Sequence, residues 1–222
     1  MLSYNLAYIL YYLCKIKMSA LKDLSIIPEN KIGKAVDIEH SVIADASEAK
    51  NVYKIARERL LNPQNWQQLS GAASAAFEII SNSVISQKEV QKNDYLKIDI
   101  PGPGAAEGDG YDWVKVEAIE EDNIPEADNS IALKLRASPN PNSDKTSTAH
   151  FFKEDATSTF IIKLNGNTIT ASYYGRNEVP NVQDVSLVDK VRNALVAVGA
   201  AIGFSEIQWN SLVKGFLNIK KD

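Results

Sequence analysis

Between residues 74 and 175 the sequence is a run of short segments that read as strands, most of them joined by connections of hairpin length. This run constrains the fold more than any other feature. The segments are "SAAFEIIS" (74–81), "DYLKIDI" (94–100), "YDWVKVEAIE" (111–120), "SIALKLRAS" (130–138), "TSTFIIKLN" (157–165) and "TITASYYG" (168–175). β-Branched and aromatic residues alternate with polar ones, the period of a half-buried strand. In "SIALKLRAS" the alternation sets Ile131, Leu133 and Leu135 on one face and Lys134 and Arg136 on the other. Asn165-Gly166-Asn167 separates the last two segments, and Asn and Gly accept the positive φ of a tight hairpin turn. Parallel neighbours need crossovers of a dozen or more residues, so the spacing predicts an antiparallel sheet.

Helical grammar flanks this run. "VDIEHSVIA" (36–44) reads as a first strand. Ser47 is the expected N-cap of the helix that follows, with Val52, Ile55, Ala56 and Leu60 at helical spacing. Asn62-Pro63 ends that helix and starts a short one, "PQNWQQLSG", which closes at Gly71. At the other end, Ser186 and Asp189 begin a helix whose apolar stripe is Leu187, Val191, Leu195, Val198 and Ile202. Gly203 breaks it. Ser205 and Gln208 fit a capping box for a last helix, with Trp209, Leu212, Val213 and Phe216 facing inward. The expected fold is therefore α+β: an antiparallel sheet of about six to seven strands, two small helices after the first strand, and a helical C-terminus packed on one face.

This element order resembles the START-like helix-grip superfamily, which includes polyketide cyclases and birch-pollen-allergen-like proteins. The resemblance covers roughly residues 36–217 and lies in element order, with no motif matched residue by residue. It implies a strand, two small helices, six strands and a long helix around a hydrophobic cavity.

Composition excludes several functions. A formal charge of −4 and strands that alternate lysine with acidic residues give no positive groove for nucleic acid. One cysteine, Cys14, allows no internal disulfide and fits a reducing compartment. Two histidines and one cysteine are too few soft ligands for structural zinc. The opening "MLSYNLAYILYYLCKIK" is apolar from Leu2 to Cys14, shorter than the roughly 20 residues of a membrane span. Its lysines follow the apolar run, and no small-residue cleavage site appears, unlike a secretory signal. Two readings stand: a natural start at Met18, or an interfacial helix or poor signal. Residues 1–35 are thus expected to be an N-terminal extension and 36–222 one α+β domain. The expected location is cytoplasmic, with secretion or membrane association through the first 17 residues as the alternative.

The stretch most like a motif is "DIPGPGAAEGDGYDW" (99–113). It is not a phosphate loop. Glu107 stands where a dinucleotide motif needs its third glycine, no lysine follows, and a strand rather than a helix comes next. Glu107, Asp109 and Asp112 lack the closing glutamate of an EF-hand, so no metal is expected. His150 has no nucleophile motif beside it, and Glu120 and Glu121 point to opposite faces of a strand. Arg176 reads as the surface partner of Glu178, or as a grip on a carboxylate. No catalytic residue and no cofactor is assigned. The first functional reading is a binder or carrier of a small apolar ligand, held between the sheet and the C-terminal helices. Tyr95, Trp113 and Tyr173 would be its aromatic walls, and Arg136 and Arg176 its polar anchors. Tyr111, Trp113 and Lys115 share one strand face, the expected cavity side, and Val114 and Val116 share the other. The alternative is a non-catalytic protein–protein interaction module with a filled core, meeting a partner or a second copy of itself.

Overall fold

The computed structural model describes residues 25–71, 74–101, 108–123, 129–181 and 205–219. Strand β1 (Lys34–Ile43) is followed by helix α1 (Ala49–Leu60), a 3-10 turn (Pro63–Asn65) and helix α2 (Trp66–Ser70). Seven strands come next: β2 (Ala76–Ser81), β3 (Val84–Ser86), β4 (Tyr95–Asp99), β5 (Asp112–Asn123), β6 (Asn129–Ala137), β7 (Thr157–Asn165) and β8 (Thr168–Glu178). Helix α3 covers 205–217. All eight strands form one open antiparallel sheet in the order β1-β8-β7-β6-β5-β4-β2-β3. This is the α+β helix-grip order, with one strand more than the sequence pattern gives. The extra strand, β3, is a three-residue edge reached through Asn82 and Ser83, both at positive φ as a primed turn requires. Gly166 leads the two-residue β7–β8 turn at φ +59.

The helices lie on one face of the sheet. Ala49, Tyr53, Ala56 and Leu60 of α1 and Leu212, Val213 and Phe216 of α3 close over Ile79, Leu96, Val116, Ile131, Leu133, Phe160, Ile162 and Ile169. The α1 stripe centres on Tyr53 rather than Ile55. Ser47 does not cap this helix. The chain turns into it through the Asp45 carbonyl, which accepts from the amides of Glu48 and Ala49. The opposite, outer face carries smaller clusters. Ile26 packs on Ala132 and Ile161, so residues 25–32 lie as a strap across β6 and β7. The stripe from Leu187 to Ile202 and the first 17 residues lie outside the described residues. Among the described residues, no helix is long and apolar enough to cross a membrane.

Two bulges reset which residues face inward. In β5 the register slips between Val116 and Ala118, which leaves Glu117 and Ala118 both on the outer face. In β8 the register slips opposite Lys34 and Val36, with Asn177 at φ +56. That residue turns outward, and Glu178 turns into the core. A strictly alternating strand would do the reverse.

Candidate functional site

The end of the sheet where β4, β6 and β8 finish is capped by the first turns of α3. Two polar features meet there around Trp209. One is a buried acid–phenol pair. The Tyr173 hydroxyl donates to Glu178 Oε1 at 3.1 Å and lies 3.3 Å from Ser158 Oγ. Burial pushes the Tyr173 hydroxyl well above its ordinary value, and the neighbouring Glu178 adds to this. Burial likewise raises the Glu178 carboxyl, against the opposing effect of the Tyr173 hydrogen bond. Gly175 makes room for the pair: a β-carbon there would sit 2.2 Å from Glu178 Oε1 and 2.9 Å from the Tyr173 hydroxyl. Trp209 stacks on the Tyr173 ring at 5.4 Å, and Lys34 reaches over to pair with Glu206.

The other feature is a cavity of about 30 Å³ lined by Phe77, Ile98, Ile100, Phe151 and Trp209 with His150, Ser205 and Gln208. It has room for one or two waters, against the several hundred Å³ of a drug-sized site. The space that a helix-grip cavity would occupy is filled by aromatic rings. Trp66 sits within 5.2 Å of Phe77, 5.0 Å of Phe160 and 6.0 Å of Phe216, ring centre to ring centre. Its indole N–H donates to the Arg59 carbonyl, so even this buried ring is satisfied.

His150 reaches the cavity from the long β6–β7 connection because that loop is tied down on both sides. Asn181 Nδ2 donates to the carbonyls of Thr148 and His150, and Asp112 accepts from the Phe151 amide. The Trp113 amide donates to the Ala149 carbonyl at 2.7 Å. The His150 ring stacks on Phe151 at 4.4 Å, and its Nδ1 accepts from the Phe152 amide at 2.9 Å. That bond puts the ring proton on Nε2, which has no hydrogen-bond partner among the described residues. Burial lowers the His150 pKa to about 3, so the ring is neutral at ordinary pH. Gln208 does not close a capping box. Its Oε1 accepts from the buried Ala75 amide at 3.0 Å, which fastens α3 to the start of β2 and leaves the Gln208 NH₂ beside the cavity.

The residues singled out from the sequence divide between the two faces. Tyr173 is on the inner face, in contact with Trp209. Trp113 and Tyr95 are on the outer face, clustered with Ile80, Ala149 and Tyr111, while Val114 and Val116 face the helices. Arg136 also lies outside. It holds both oxygens of Glu117 at 3.0 Å, with Lys134 at 3.2 Å. Burial pushes the Glu117 carboxyl up, but Arg136 and Lys134 together hold it below its usual value. Arg176 pairs with Asp37, not Glu178, because the bulge sends the two side chains to opposite faces. Outside, Arg136 lines an open cleft of about 370 Å³ beside the strap, with Lys31, Asp155 and Asn177. Among the described residues, no three His, Cys, Asp or Glu side chains gather as a metal site would need. The sequence pattern notes His150 and Gln208 but assigns neither to a ligand site. The only visible signal is the "AHFF" run, a histidine among apolar residues at the end of a polar loop.

No protein-family model matches the sequence, nor does any curated protein. Among solved structures the chain is similar to Ara h 8.0201, at 14% identity over 81% of this chain and 99% of that one, with a TM-score of 0.32. It is also similar to ginseng major latex-like protein 151 from Panax ginseng, at 12% identity over 77% and 96%, with a TM-score of 0.33. A START superfamily protein from Mycobacterium smegmatis matches at 13% identity over 82% and 98%, with a TM-score of 0.34. At that level of identity and overlap the likeness is one of chain course alone.

Proposed function

We propose that the protein binds a small apolar ligand at the mouth between the β6–β7 connection and the first turn of α3. One observation carries this reading: a neutral histidine, nine-tenths buried, lines an apolar cavity with a ring N–H that nothing among the described residues accepts. That N–H is free to donate to a ligand oxygen that enters the cavity, without breaking a bond of the folded protein. The cavity as it stands holds a polar head and not a whole ligand. The ligand's body would lie against Ile100, Phe151 and Trp209, with the Phe151 and Trp209 rings turning aside. The direct test is native mass spectrometry of the purified protein, with titration of a fluorescent apolar probe. A co-purifying small molecule, or saturable probe binding quenched in Trp209→Leu, is expected. A ligand-free protein with no saturable binding refutes the reading.

The filled aromatic core favours the second reading, an interaction module. Val84 and Ile85 of edge strand β3 are exposed, on the side of the sheet that can accept another strand. Concentration-dependent association lost on Ile85→Lys would support it, and a monomer at high concentration would count against it.

A further inference from the structure

The cavity wall is almost wholly apolar, and the few polar groups on its lining residues decide which end of a ligand it suits, provided the ligand-site reading above holds. Every fixed polar group there is a donor. His150 offers Nε2–H, because Nδ1 is occupied by the Phe152 amide. Gln208 offers its NH₂, because Oε1 is occupied by the Ala75 amide. Trp209 has only an N–H, and Ser205 adds a hydroxyl that can donate. No charged side chain lines the cavity among the described residues. Lys34, which reaches α3 at its Glu206, is paired with that carboxylate.

A ligand oxygen that accepts hydrogen bonds therefore meets donor groups on four residues, while a ligand donor meets only the Ser205 hydroxyl and the remaining lone pair of Gln208 Oε1. A carboxylate would need a counter-charge to enter such a dry site. His150 is poorly placed to become that charge. Protonating Nδ1 would set its N–H against the Phe152 N–H and break the bond that holds the ring. The depressed pKa of the ring agrees with that geometry. We infer that the cavity takes the oxygen of a neutral carbonyl compound (a ketone, ester or amide head on an apolar body) and discriminates against a carboxylate of the same length.

The experiment compares 2-nonanone with nonanoate at pH near 7.5 on the full chain, by calorimetry and tryptophan fluorescence. The ketone is expected to bind at least about tenfold tighter. In His150→Phe, which keeps an aromatic ring against Phe151 but has no N–H, that preference should fall below about threefold. Nonanoate binding as tightly as the ketone overturns the inference while leaving the ligand site intact. An unchanged preference in His150→Phe overturns it too. If neither probe binds the wild-type protein, the ligand-site reading itself fails, and this inference with it. Should His150→Phe not fold, ¹⁵N-histidine spectra of the wild-type protein answer the same question, with only His40 and His150 to distinguish. The His150 Nε2 resonance should move with 2-nonanone while Nδ1 stays unprotonated. No movement, or a doubly protonated ring with nonanoate, overturns the inference.

Discussion

Lowering the pH from about 8 toward 4 sets the folded protein against a proton that the unfolded chain takes up at His150. The ring is 9% exposed, stacked on Phe151, and accepts the Phe152 amide through Nδ1, so the folded state has nowhere to put a second proton. Burial lowers its pKa from 6.5 to about 3. Between those values the unfolded chain binds more protons, so the stability tied to neutral His150 is whole above pH 6.5 and drains away as pH falls. At about 1.4 kcal/mol for each tenfold in proton affinity, the ceiling is roughly 5 kcal/mol, a large share of the 5–15 kcal/mol of an ordinary domain. Urea unfolding followed by tryptophan fluorescence at several pH values would measure it, with His150→Asn alongside. Asparagine can keep an acceptor near the Phe152 amide but takes no proton. The variant should lose about 1–2 kcal/mol near pH 7 through poorer packing, yet show a distinctly flatter decline between pH 6.5 and 4. The other titratable groups are common to both proteins and cancel in the comparison. Parallel profiles over that range would refute the reasoning, since they would mean that the folded protein accepts the proton without penalty.

Trp66→Ala should cost about 3–5 kcal/mol in urea unfolding, because the ring joins α2 to β2, β7 and α3; a loss under about 1 kcal/mol would show that the aromatic cluster repacks around the gap. Asn177→Ala removes the acceptor of the Lys31 and Ile32 amides and leaves a poorly suited residue at positive φ. It should cost about 1–3 kcal/mol and speed hydrogen exchange at those two amides, and unchanged exchange would sink the anchoring role. Gly175→Ala, by crowding Glu178 Oε1 and the Tyr173 hydroxyl, should lower stability by about 1–3 kcal/mol, read as a drop in Tm. Glu178→Gln works through a carboxyl whose folded pKa is raised by burial, so the parent loses stability as pH climbs past the ordinary carboxylate range. The variant should gain on the parent near pH 8 and lose that gain toward pH 4; a gap that does not change with pH would contradict the burial of a titrating carboxyl.

Strand positions were legible because period-two alternation survives translation into structure: Ile131, Leu133 and Leu135 all face the helices, as their spacing requires. The β7–β8 hairpin was equally open, since Gly166 declares its turn. Other features depend on information that a local pattern does not carry. Strand β3 is too short to show a period. The bulges at Glu117 and Asn177 reverse parity, so counting along β8 makes Glu178 a surface partner of Arg176 when it is a core acid. Alternation pairs Trp113 with Tyr111 and Lys115 but cannot say which face the helices cover. That is decided by α1 and α3, far away in sequence. The environment of His150 depends on bonds from Asp112 and Asn181, each more than thirty residues away, so its tautomer and burial leave almost no local trace.

The face a strand residue occupies is a matter of odd and even, and in β8 the count is reset by one residue at Asn177. Arg176 and Asn177 both face outward between Gly175 and Glu178, so a strand straightened at constant length turns Glu178 out of the core and the side chain at 177 away from the strap. Taking out either residue restores simple alternation with Glu178 still inside, at the loss of the Asp37 pair or of the strap's anchor. At the end of β8 a shorter chain is therefore gentler on the core than a residue at 177 that cannot hold the positive φ.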